Sequence, residues 1–336
     1  MNKPNILYIG GSINQTKMMH KISMQLPFGN NYFSTFYGDG LIRFCAEHKL
    51  LDFTILGGAF KRASEQYLIE NNLKIDYRGQ NRNYDLVFTC TDLIVPKNIK
   101  NKNIILVQEG MTDPEDIMYY LVKYLKLPRY LASTSTTGLS DRYKYFCVAS
   151  EGYKKLFIKK GVKAEKIIVT GIPNFDNVKE NNNNDFIYKD YALVATSDTR
   201  ETFKYENRKK FILECKKIAG DKEIIFKLHP NEKHDRAEKE IKSLIPDAII
   251  FKNGNIDNMI ANCSVLITKY SSVVYIGLAL NKKVYSYFNI EMLKQLTPIQ
   301  NNGNSAKNIS RIAKLILHQS DEINESKNLN LILSEY

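Results

Sequence analysis

The chain lacks tryptophan and has only five cysteines, and both facts narrow the classes of protein to which it can belong. The cysteines are odd in number and widely spaced, without a Cys-x-x-Cys pair or a Cys/His cluster. Neither a disulfide framework nor a zinc site is therefore expected. The cysteine pattern predicts a protein of the reducing cytoplasm.

Other familiar signatures are also missing. No run of 18 apolar residues occurs, so no transmembrane helix is expected. The apolar stretch at residues 6–9 is too short for a signal-peptide core and predicts a first β-strand. The Gly10-Gly11 pair after it is not a Gly-x-Gly-x-x-Gly fingerprint, which leaves dinucleotide binding poorly supported. The sequence contains no Asp-x-Asp element that would hold a metal ion. Neither a metal nor a cofactor is therefore expected.

The composition is that of an ordinary globular protein with an excess of positive charge. The 336 residues suggest about two domains. Lys and Arg number 48 against 36 Asp and Glu, a formal net charge of +12. Such a balance suggests an anionic partner, which can be a nucleic acid, an acidic lipid surface or a phosphorylated substrate. The charge alone does not choose among them.

Short apolar runs alternate with amphipathic stretches along the whole chain. Such strands suit parallel sheets that are covered by helices on both faces. A polar run at residues 179–185 is the clearest boundary. We therefore predict an N-terminal domain at 1–178 and a C-terminal domain at 188–336, both doubly wound, with ligands in a cleft beyond the strands. The predicted strands are 5–9, 53–56, 86–89, 104–107, 145–149, 166–170, 191–195, 223–227, 248–251, 265–268 and 283–287. The tail at 321–336 is compatible with a closing helix or with fraying.

Three places just after predicted strands carry chemistry-bearing residues. Glu109 follows the strand at 104–107, where a carboxylate can act as a general base or simply as a surface acid. His229-Pro230 follows the strand at 223–227, where Pro230 holds the chain out of a helix. This histidine is either a donor to a phosphate or an ordinary turn residue. Ser271-Ser272 follows the strand at 265–268 and can cap a helix or bind an anion.

Weaker candidates lie at the ends of two other strands. The Gly10-Gly11-Ser12 turn can let an acceptor approach the backbone, and His20 lies shortly after it. Thr196 and Ser197 follow the strand at 191–195 and can contact a donor phosphate or cap a helix.

Together, the carboxylate, the His-Pro pair and the Ser-Ser pair resemble the motifs of GT-B-fold glycosyltransferases. The bacterial sialyltransferases and Kdo transferases carry an acidic-acidic-Gly motif, a His-Pro motif and a Ser-Ser/Thr motif, which read here Gln108-Glu109-Gly110, His229-Pro230 and Ser271-Ser272. In the second half, residues 227–231 and 268–272 are similar to signatures of the CDP-glycerol glycerophosphotransferases.

Departures from these patterns favour sugar transfer over polyol-phosphate transfer. Gln108 stands in place of the first acid of the sialyltransferase motif. Lys269 stands where the glycerophosphotransferases usually have Asp, and the Trp-His-Gly-like element of that group is missing.

The resemblance implies an inverting, metal-independent glycosyltransferase of bacterial surface-polysaccharide synthesis. The donor would be a CMP- or CDP-linked sugar, and the acceptor a surface glycan or a lipid-linked acceptor. Glu109 would take the proton of the acceptor hydroxyl, while His229 would act as hydrogen-bond donor or general acid. The remaining residues would bind the donor (Thr196, Ser197, Pro230, Ser271, Ser272) or the acceptor (Gly10, Gly11, Ser12, His20). The basic charge would suit peripheral contact with an anionic membrane at its cytoplasmic face.

Other functions remain open at this point. A non-hydrolysing UDP-GlcNAc 2-epimerase-like isomerase would share the GT-B architecture, and a CDP-polyol phosphotransferase would share the motifs of the second half. Nucleic-acid binding is not expected, because no recognisable RNA- or DNA-binding motif accompanies the basic charge.

Overall fold

The computed structural model describes residues 3–201 and 205–319. It divides into two compact units. The first combines Met1–Asp176 with the segment that starts at Asn301, and the second is Asn177–Gln300.

The first unit contains a six-stranded sheet in the order β2-β1-β3-β4-β5-β6, in which every neighbouring pair is parallel. Helices lie in the connections between successive strands, except between β3 and β4, where the crossover is an irregular loop. The strands are β1 Asn5–Gly10, β2 Asn30–Thr35, β3 Leu86–Thr89, β4 Ile104–Val107, β5 Tyr145–Val148 and β6 Ile167–Val169. The helices are α1 Ile13–Met24, α2 Gly40–Glu47, α3 Gly58–Glu70, α4 Ile117–Leu125 and α5 Glu151–Lys160.

The second unit contains a five-stranded parallel sheet in the order β11-β10-β7-β8-β9. Its strands are β7 Ala192–Ala195, β8 Ile224–Lys227, β9 Ile249–Phe251, β10 Val265–Thr268 and β11 Lys283–Tyr285. Its helices are α6 Arg208–Ala219, α7 His234–Leu244, α8 Ile256–Asn262, α9 Val274–Ala279 and α10 Ile290–Leu296. The prediction of an α/β protein with two parallel sheets is confirmed.

The chain returns to the first unit through the last described helix, α11 (Ser305–Gln319), which packs against α1. Its buried residues Ile309, Ile312, Ala313 and Ile316 follow the spacing of one apolar helix face. The backbone N–H of Ser305 donates to the Asp176 carboxylate at 2.8 Å, which ties the start of this helix to the end of the preceding segment. The second domain predicted at 188–336 therefore differs from the structure at its C-terminal end.

The polar run at 179–185, predicted to be a solvated linker, is mostly exposed to solvent. It belongs to the second unit, which begins at Asn177, and Val178 is buried there. The Nδ2 of Asn262 donates to the Oδ1 of Asn184 at 2.6 Å. Asparagine side chains can satisfy each other on a folded surface, and the sequence pattern did not distinguish that arrangement from a free linker.

One predicted strand is wrong and one real strand was not predicted. Residues 53–56 form turns rather than a strand, and Phe53 is exposed. The second strand of the first sheet is instead β2, an edge strand whose sequence, NNYFST, is too polar to stand out. The tail at 321–336 lies outside the described residues. Within the described ranges, no helix combines the length and the apolar character needed to cross a membrane.

Candidate active site

Glu109 lies at the carboxyl end of β4, where it joins two side chains from the start of α1. Its Oε1 accepts a hydrogen bond from the Ser12 hydroxyl at 3.0 Å, and its Oε2 accepts one from the Gln15 amide at 2.5 Å. Since β3 separates β1 from β4 in the sheet, these contacts span two strand spacings, about 10 Å of backbone. We call Ser12, Gln15 and Glu109 the acid cluster.

Local sequence explains how α1 presents its two members of the acid cluster. Ser12 is the N-cap of α1, and its hydroxyl accepts the backbone N–H of Gln15 at 3.2 Å. The Gln15 side chain reaches back to accept the backbone N–H of Gly11 at 2.7 Å. This is a variant of the S-x-x-Q capping box, in which the glutamine accepts from the residue before the N-cap rather than from the N-cap itself. It leaves the Gln15 Nε2 and the Ser12 hydroxyl proton free to hold the carboxylate.

Gly10 and Gly11 have a packing role at this turn. A Cβ at Gly10 would lie 2.9 Å from the hydroxyl oxygen of Thr16 and 3.0 Å from its backbone nitrogen. A Cβ at Gly11 would lie 2.8 Å from the Ile55 side chain. The space beside each glycine is thus filled by protein, and Ser12 is the residue of this turn that contacts Glu109.

The carboxylate of Glu109 is held in a setting suited to proton transfer. Burial raises its pKa above the ordinary value of 4.5, while the hydrogen bonds from Gln15 and Ser12 partly offset that rise. A carboxylate with a raised pKa is a stronger base than one in water. Cys90 follows β3 beside it, and the pKa of this thiol is raised by its own burial and by the charge of Glu109.

Gln108 has a structural role that explains why an amide precedes Glu109. Its Oε1 accepts the backbone N–H of Ala149 at 2.9 Å, and its Nε2 donates to the carbonyl of Gly110 at 2.7 Å. A carboxylate can accept but cannot donate, so it would face the Gly110 carbonyl without a proton. Gln108 therefore fixes the loop that carries Glu109.

His20 does not join the acid cluster. It lies on α1 about 12 Å beyond Ser12 along the helix axis. Its Nδ1 lies 3.0 Å from the Tyr67 hydroxyl on α3, and the ring packs edge-on against Phe33. Burial lowers the pKa of His20, which fits a neutral ring packed between helices and sheet.

In the second unit, three neighbouring strands bring the other predicted residues together. β10, β7 and β8 are adjacent in the sheet, and Ser271-Ser272, Thr196-Ser197 and His229 follow them respectively. The carboxyl ends of adjacent parallel strands lie at one edge, which is where ligands of open α/β sheets bind.

The hydrogen bonds of His229 define its tautomer. Its Nδ1 accepts the backbone N–H of Asn231 at 3.2 Å, which leaves the proton of the neutral ring on Nε2. The Asp198 carboxylate lies 3.7 Å from the same Nδ1 and accepts the Asn231 side chain at 3.1 Å. The ring is partly exposed, so Nε2–H is available as a donor.

Thr196 and Glu232 form a hydrogen-bonded chain that holds the backbone of His229. The Thr196 hydroxyl accepts the backbone N–H of His229 at 2.9 Å and donates to the Glu232 carboxylate at 2.6 Å. Both residues are buried, and burial raises the pKa of Glu232. Since the Thr196 hydroxyl is bonded to protein on both sides, we assign it a positioning role rather than a direct contact with a donor.

The serines are less constrained. Ser271 accepts the backbone N–H of Val273 at 3.4 Å, just before the short helix α9. The Ser272 hydroxyl forms no hydrogen bond within residues 3–201 and 205–319. The Ser197 hydroxyl lies 2.7 Å from that of Thr199. Ser271 and Ser272 are partly exposed, and Pro230 is exposed beside His229.

A buried charge network lies behind this edge of the sheet, and no local sequence pattern predicts it. Lys269 forms an ion pair with Glu206 at 2.8 Å, and Arg208 pairs with Glu232 at 2.8 Å. Arg200 holds Glu240 through two bonds of 2.8 Å. The Glu206 side chain is only 1% exposed. The six residues Arg200, Glu206, Arg208, Glu232, Glu240 and Lys269 carry three positive and three negative charges, so the network is neutral as a whole.

Three residues at these sites were not predicted. Gln15 was signalled by the S-x-x-Q spacing from Ser12, whereas Gln108 and Glu232 carry no local signal. Within the described part of the chain, no group of three or more His, Cys, Asp or Glu side chains is placed to hold a metal ion.

The fold and the strand-end residues define a GT-B-type α/β protein, and solved structures share this architecture. The wall teichoic acid polymerase TagF has a TM-score of 0.52 at 14% identity, covering 95% of this chain and 90% of its own. A UDP-GlcNAc 2-epimerase from Neisseria meningitidis, bound to UDP-GlcNAc, has a TM-score of 0.57 at 14% identity, covering 93% and 100%. A complex of S. aureus MnaA with UDP has a TM-score of 0.60 at 13% identity, covering 95% and 98%. At these identities the likeness shows the fold alone.

The sequence itself identifies the family. The model of the family "CDP-Glycerol:Poly(glycerophosphate) glycerophosphotransferase" matches residues 100–290, more than half of the chain. The chain belongs to this family, and it is a transferase that uses a nucleotide-activated donor. The match includes Glu109, His229 and Ser271-Ser272 but not Ser12 or Gln15. No curated protein matches the sequence.

Proposed function

We propose that the protein transfers a group from a cytidine diphosphate-activated donor to the hydroxyl of a glycan or lipid-linked acceptor. Membership of the glycerophosphotransferase family carries this proposal. The site of the second unit supports it, because His229 offers Nε2–H at the same sheet edge as Ser271 and Ser272. These hydrogen-bond donors suit the negative charge of a pyrophosphate.

For a CDP-polyol donor, the chemistry is phosphoryl transfer. The acceptor oxygen forms a bond to the β-phosphorus, the bond from that phosphorus to the bridging oxygen breaks, and CMP leaves with the electron pair. Glu109 takes the proton of the acceptor hydroxyl, and His229 donates a hydrogen bond to the phosphate that gains charge. Such donors stabilise the transition state more than the ground state. Ser271 and Ser272 add donors from hydroxyl and backbone.

Polyol-phosphate transfer is our first assignment, because the whole family is described by it. Sugar transfer is the second candidate, and the acid cluster favours it. The first unit offers a hydrogen-bonded carboxylate rather than a histidine as the base. In that reaction the acceptor oxygen attacks the anomeric carbon with inversion, and the bond from that carbon to the donor phosphate oxygen breaks. Both reactions proceed without a metal in this proposal.

A thermal-shift screen against CMP, CDP, UMP, UDP, GDP and ADP tests the donor class. A nucleotide present at about 100 times its dissociation constant stabilises the folded protein by roughly 2.7 kcal/mol. We expect CMP and CDP to raise the melting temperature more than the other four. Stabilisation by UDP alone would contradict the cytidine assignment, and the His229→Ala variant should lose the shift.

Product analysis separates the reactions. With CDP-glycerol and a glycerophosphate-primed acceptor, polyol transfer releases CMP and lengthens the acceptor. A CMP- or CDP-linked sugar that releases its nucleotide only with acceptor would instead support sugar transfer. Conversion of UDP-GlcNAc without any acceptor would support an epimerase and contradict both assignments.

A further inference from the structure

A group of aromatic side chains lies next to the two serines at the sheet edge of the second unit. Tyr270 directly precedes Ser271, and Tyr287 and Phe288 follow the neighbouring strand β11. The Tyr270 ring packs edge-on against Tyr287, with 5.7 Å between ring centres, and against Phe288 at 5.0 Å. We call these three residues the aromatic cluster. It lies at the carboxyl ends of adjacent parallel strands, where ligands of open α/β sheets bind.

Two rings of the aromatic cluster are open to solvent. Tyr270 and Tyr287 are 56% and 50% exposed. Burying such rings is favourable, so neighbouring rings that stay exposed at a ligand-binding edge indicate a surface that a ligand covers. Tyrosine suits that role, because it combines a large ring with a hydroxyl that remains hydrated.

Tyr287 is held in place before any ligand binds. Its hydroxyl donates to the Glu214 carboxylate at 2.7 Å, and its backbone N–H donates to the carbonyl of Lys269 at 3.2 Å. The Lys269 ammonium lies 5.4 Å from the centre of the Tyr287 ring and 4.7 Å from that of Phe211. A ring that is already fixed loses little conformational freedom when a ligand packs against it.

Lys269 links the aromatic cluster to the buried charge network. It pairs with Glu206 at 2.8 Å, which fixes its ammonium near the two rings. The glycerophosphotransferases usually have Asp at this position, and a carboxylate cannot form a cation–π contact with an aromatic ring. The contact that supports Tyr287 is therefore specific to a chain with a basic residue here.

We infer that Tyr270 and Tyr287 stack on a ring of the donor that adjoins its pyrophosphate. Their position beside Ser271 places them next to the proposed phosphate contacts. Stacking on an aromatic side chain requires a ring with an accessible face. Glycerol has no ring, whereas a cytosine base and a transferred sugar both supply one. The inference rests on the proposed cytidine-linked donor and adds two residues to the site that binds it.

Titration calorimetry with four probes tests this inference. CMP carries the base and ribose 5-phosphate lacks it, while CDP-glucose carries a transferred sugar and CDP-glycerol lacks one. Tyr270→Leu with Tyr287→Leu removes both rings and should weaken the binding of CMP or of CDP-glucose at least about fivefold. Ribose 5-phosphate should bind this variant like the wild type, because its phosphate contacts remain. A loss with CMP assigns the base, and a loss with CDP-glucose alone assigns the sugar.

Two controls accompany the double Leu variant. Tyr270→Phe with Tyr287→Phe keeps both rings and should retain the wild-type affinities. Tyr77, in the first unit, is 53% exposed, so Tyr77→Leu removes an equally exposed ring and should leave all four affinities unchanged. If the double Leu variant does not fold, Tyr270→Leu alone provides the test, because the Tyr270 hydroxyl forms no hydrogen bond in the described part of the chain.

Three results would overturn the inference. The first is wild-type affinity of the Leu variants for all four probes. The second is an equal loss for ribose 5-phosphate in a folded Leu variant, which would mean that the phosphate contacts had been disturbed. The third is an equal loss in the double Phe variant, since its rings are intact. A wild type that binds none of the four probes would instead contradict the proposed donor itself.

Discussion

The backbone N–H of His229 donates to the hydroxyl of Thr196 at 2.9 Å, and this bond joins the ends of β8 and β7. The same hydroxyl donates to Glu232 at 2.6 Å, and Glu232 pairs with Arg208 on α6. The histidine that faces solvent is therefore held by a chain of buried polar groups. Its position depends on residues that need not contact any substrate.

Replacing Thr196 tests this positioning. Thr196→Val keeps the shape but removes the hydrogen-bond partner of the His229 N–H and of one oxygen of the Glu232 carboxylate, Oε2. Leaving buried polar groups unpaired costs about 1–3 kcal/mol. We expect a lower melting temperature and weaker CMP binding, measured by calorimetry and titration.

Thr196→Ser is the matched control, because it keeps the hydroxyl and loses only a methyl group. It should restore most of the CMP affinity that Thr196→Val loses. A Val variant that binds CMP like the wild type would mean that the bond does not position His229.

Glu109→Gln tests the proposed base. The substitution preserves shape but removes the ability to accept a proton, so the transfer rate should fall about 10²–10⁴-fold. CMP affinity should stay nearly unchanged, because the assigned donor contacts lie in the second unit. Glu115→Gln, on the loop that follows Glu109, should keep the wild-type rate. An active Glu109→Gln enzyme would eliminate Glu109 as the base.

The strand ends were the most predictable part of this protein. Continuous apolar runs such as 104–107 and 265–268 allow no other assignment, so Glu109, His229 and Ser271 were placed correctly after strands. Prediction failed where polar residues take part in the fold. β2 is rich in Asn, Ser and Thr, and Asn184 of the polar run bonds to Asn262 within the second unit.

Contacts between residues that are distant in the chain could not be predicted from the sequence. Glu232 and Arg208 are far apart in the chain, and nothing in either segment indicates that both are buried against each other. The return of α11 to the first unit likewise depends on a surface of α1 that no local pattern reveals. Gln15 was not predicted either, although its spacing from Ser12 is a known cap signature that could have indicated it.

The pH dependence of transfer should report the environment of Glu109. Burial raises its pKa above 4.5, so the acid limb of kcat/KM should have its midpoint above that value. Gln15→Met removes a hydrogen bond that lowers this pKa and should move the limb to higher pH. The free energy of unfolding should depend on pH in the same direction in the wild type and in Gln15→Met. A carboxyl group whose pKa is raised by folding contributes stability that is present below its ordinary pKa and is lost as the pH rises through the folded-state pKa. If the midpoint of the acid limb were the same in Gln15→Met and in the wild type, the limb would not report the ionisation of Glu109.

The last prediction concerns Lys269, whose ammonium group is buried against Glu206 at 2.8 Å and lies 4.7 Å from the centre of the Phe211 ring. Lys269→Met keeps the apolar stem and removes the charge, which leaves Glu206 with only the longer contacts to Arg200 and Arg208. Breaking a buried pair from one side costs about 3 kcal/mol, which corresponds to a drop in melting temperature of roughly 10 °C by calorimetry. The double variant with Glu206→Gln should lose less stability than the sum of the two single changes, because the two residues interact directly.

Lys210→Met is the control for Lys269→Met. It removes one member of an exposed pair with Glu214 and should change the melting temperature very little. If Lys269→Met melted like Lys210→Met, the buried charge network would not stabilise the edge of the sheet that carries Ser271 and His229.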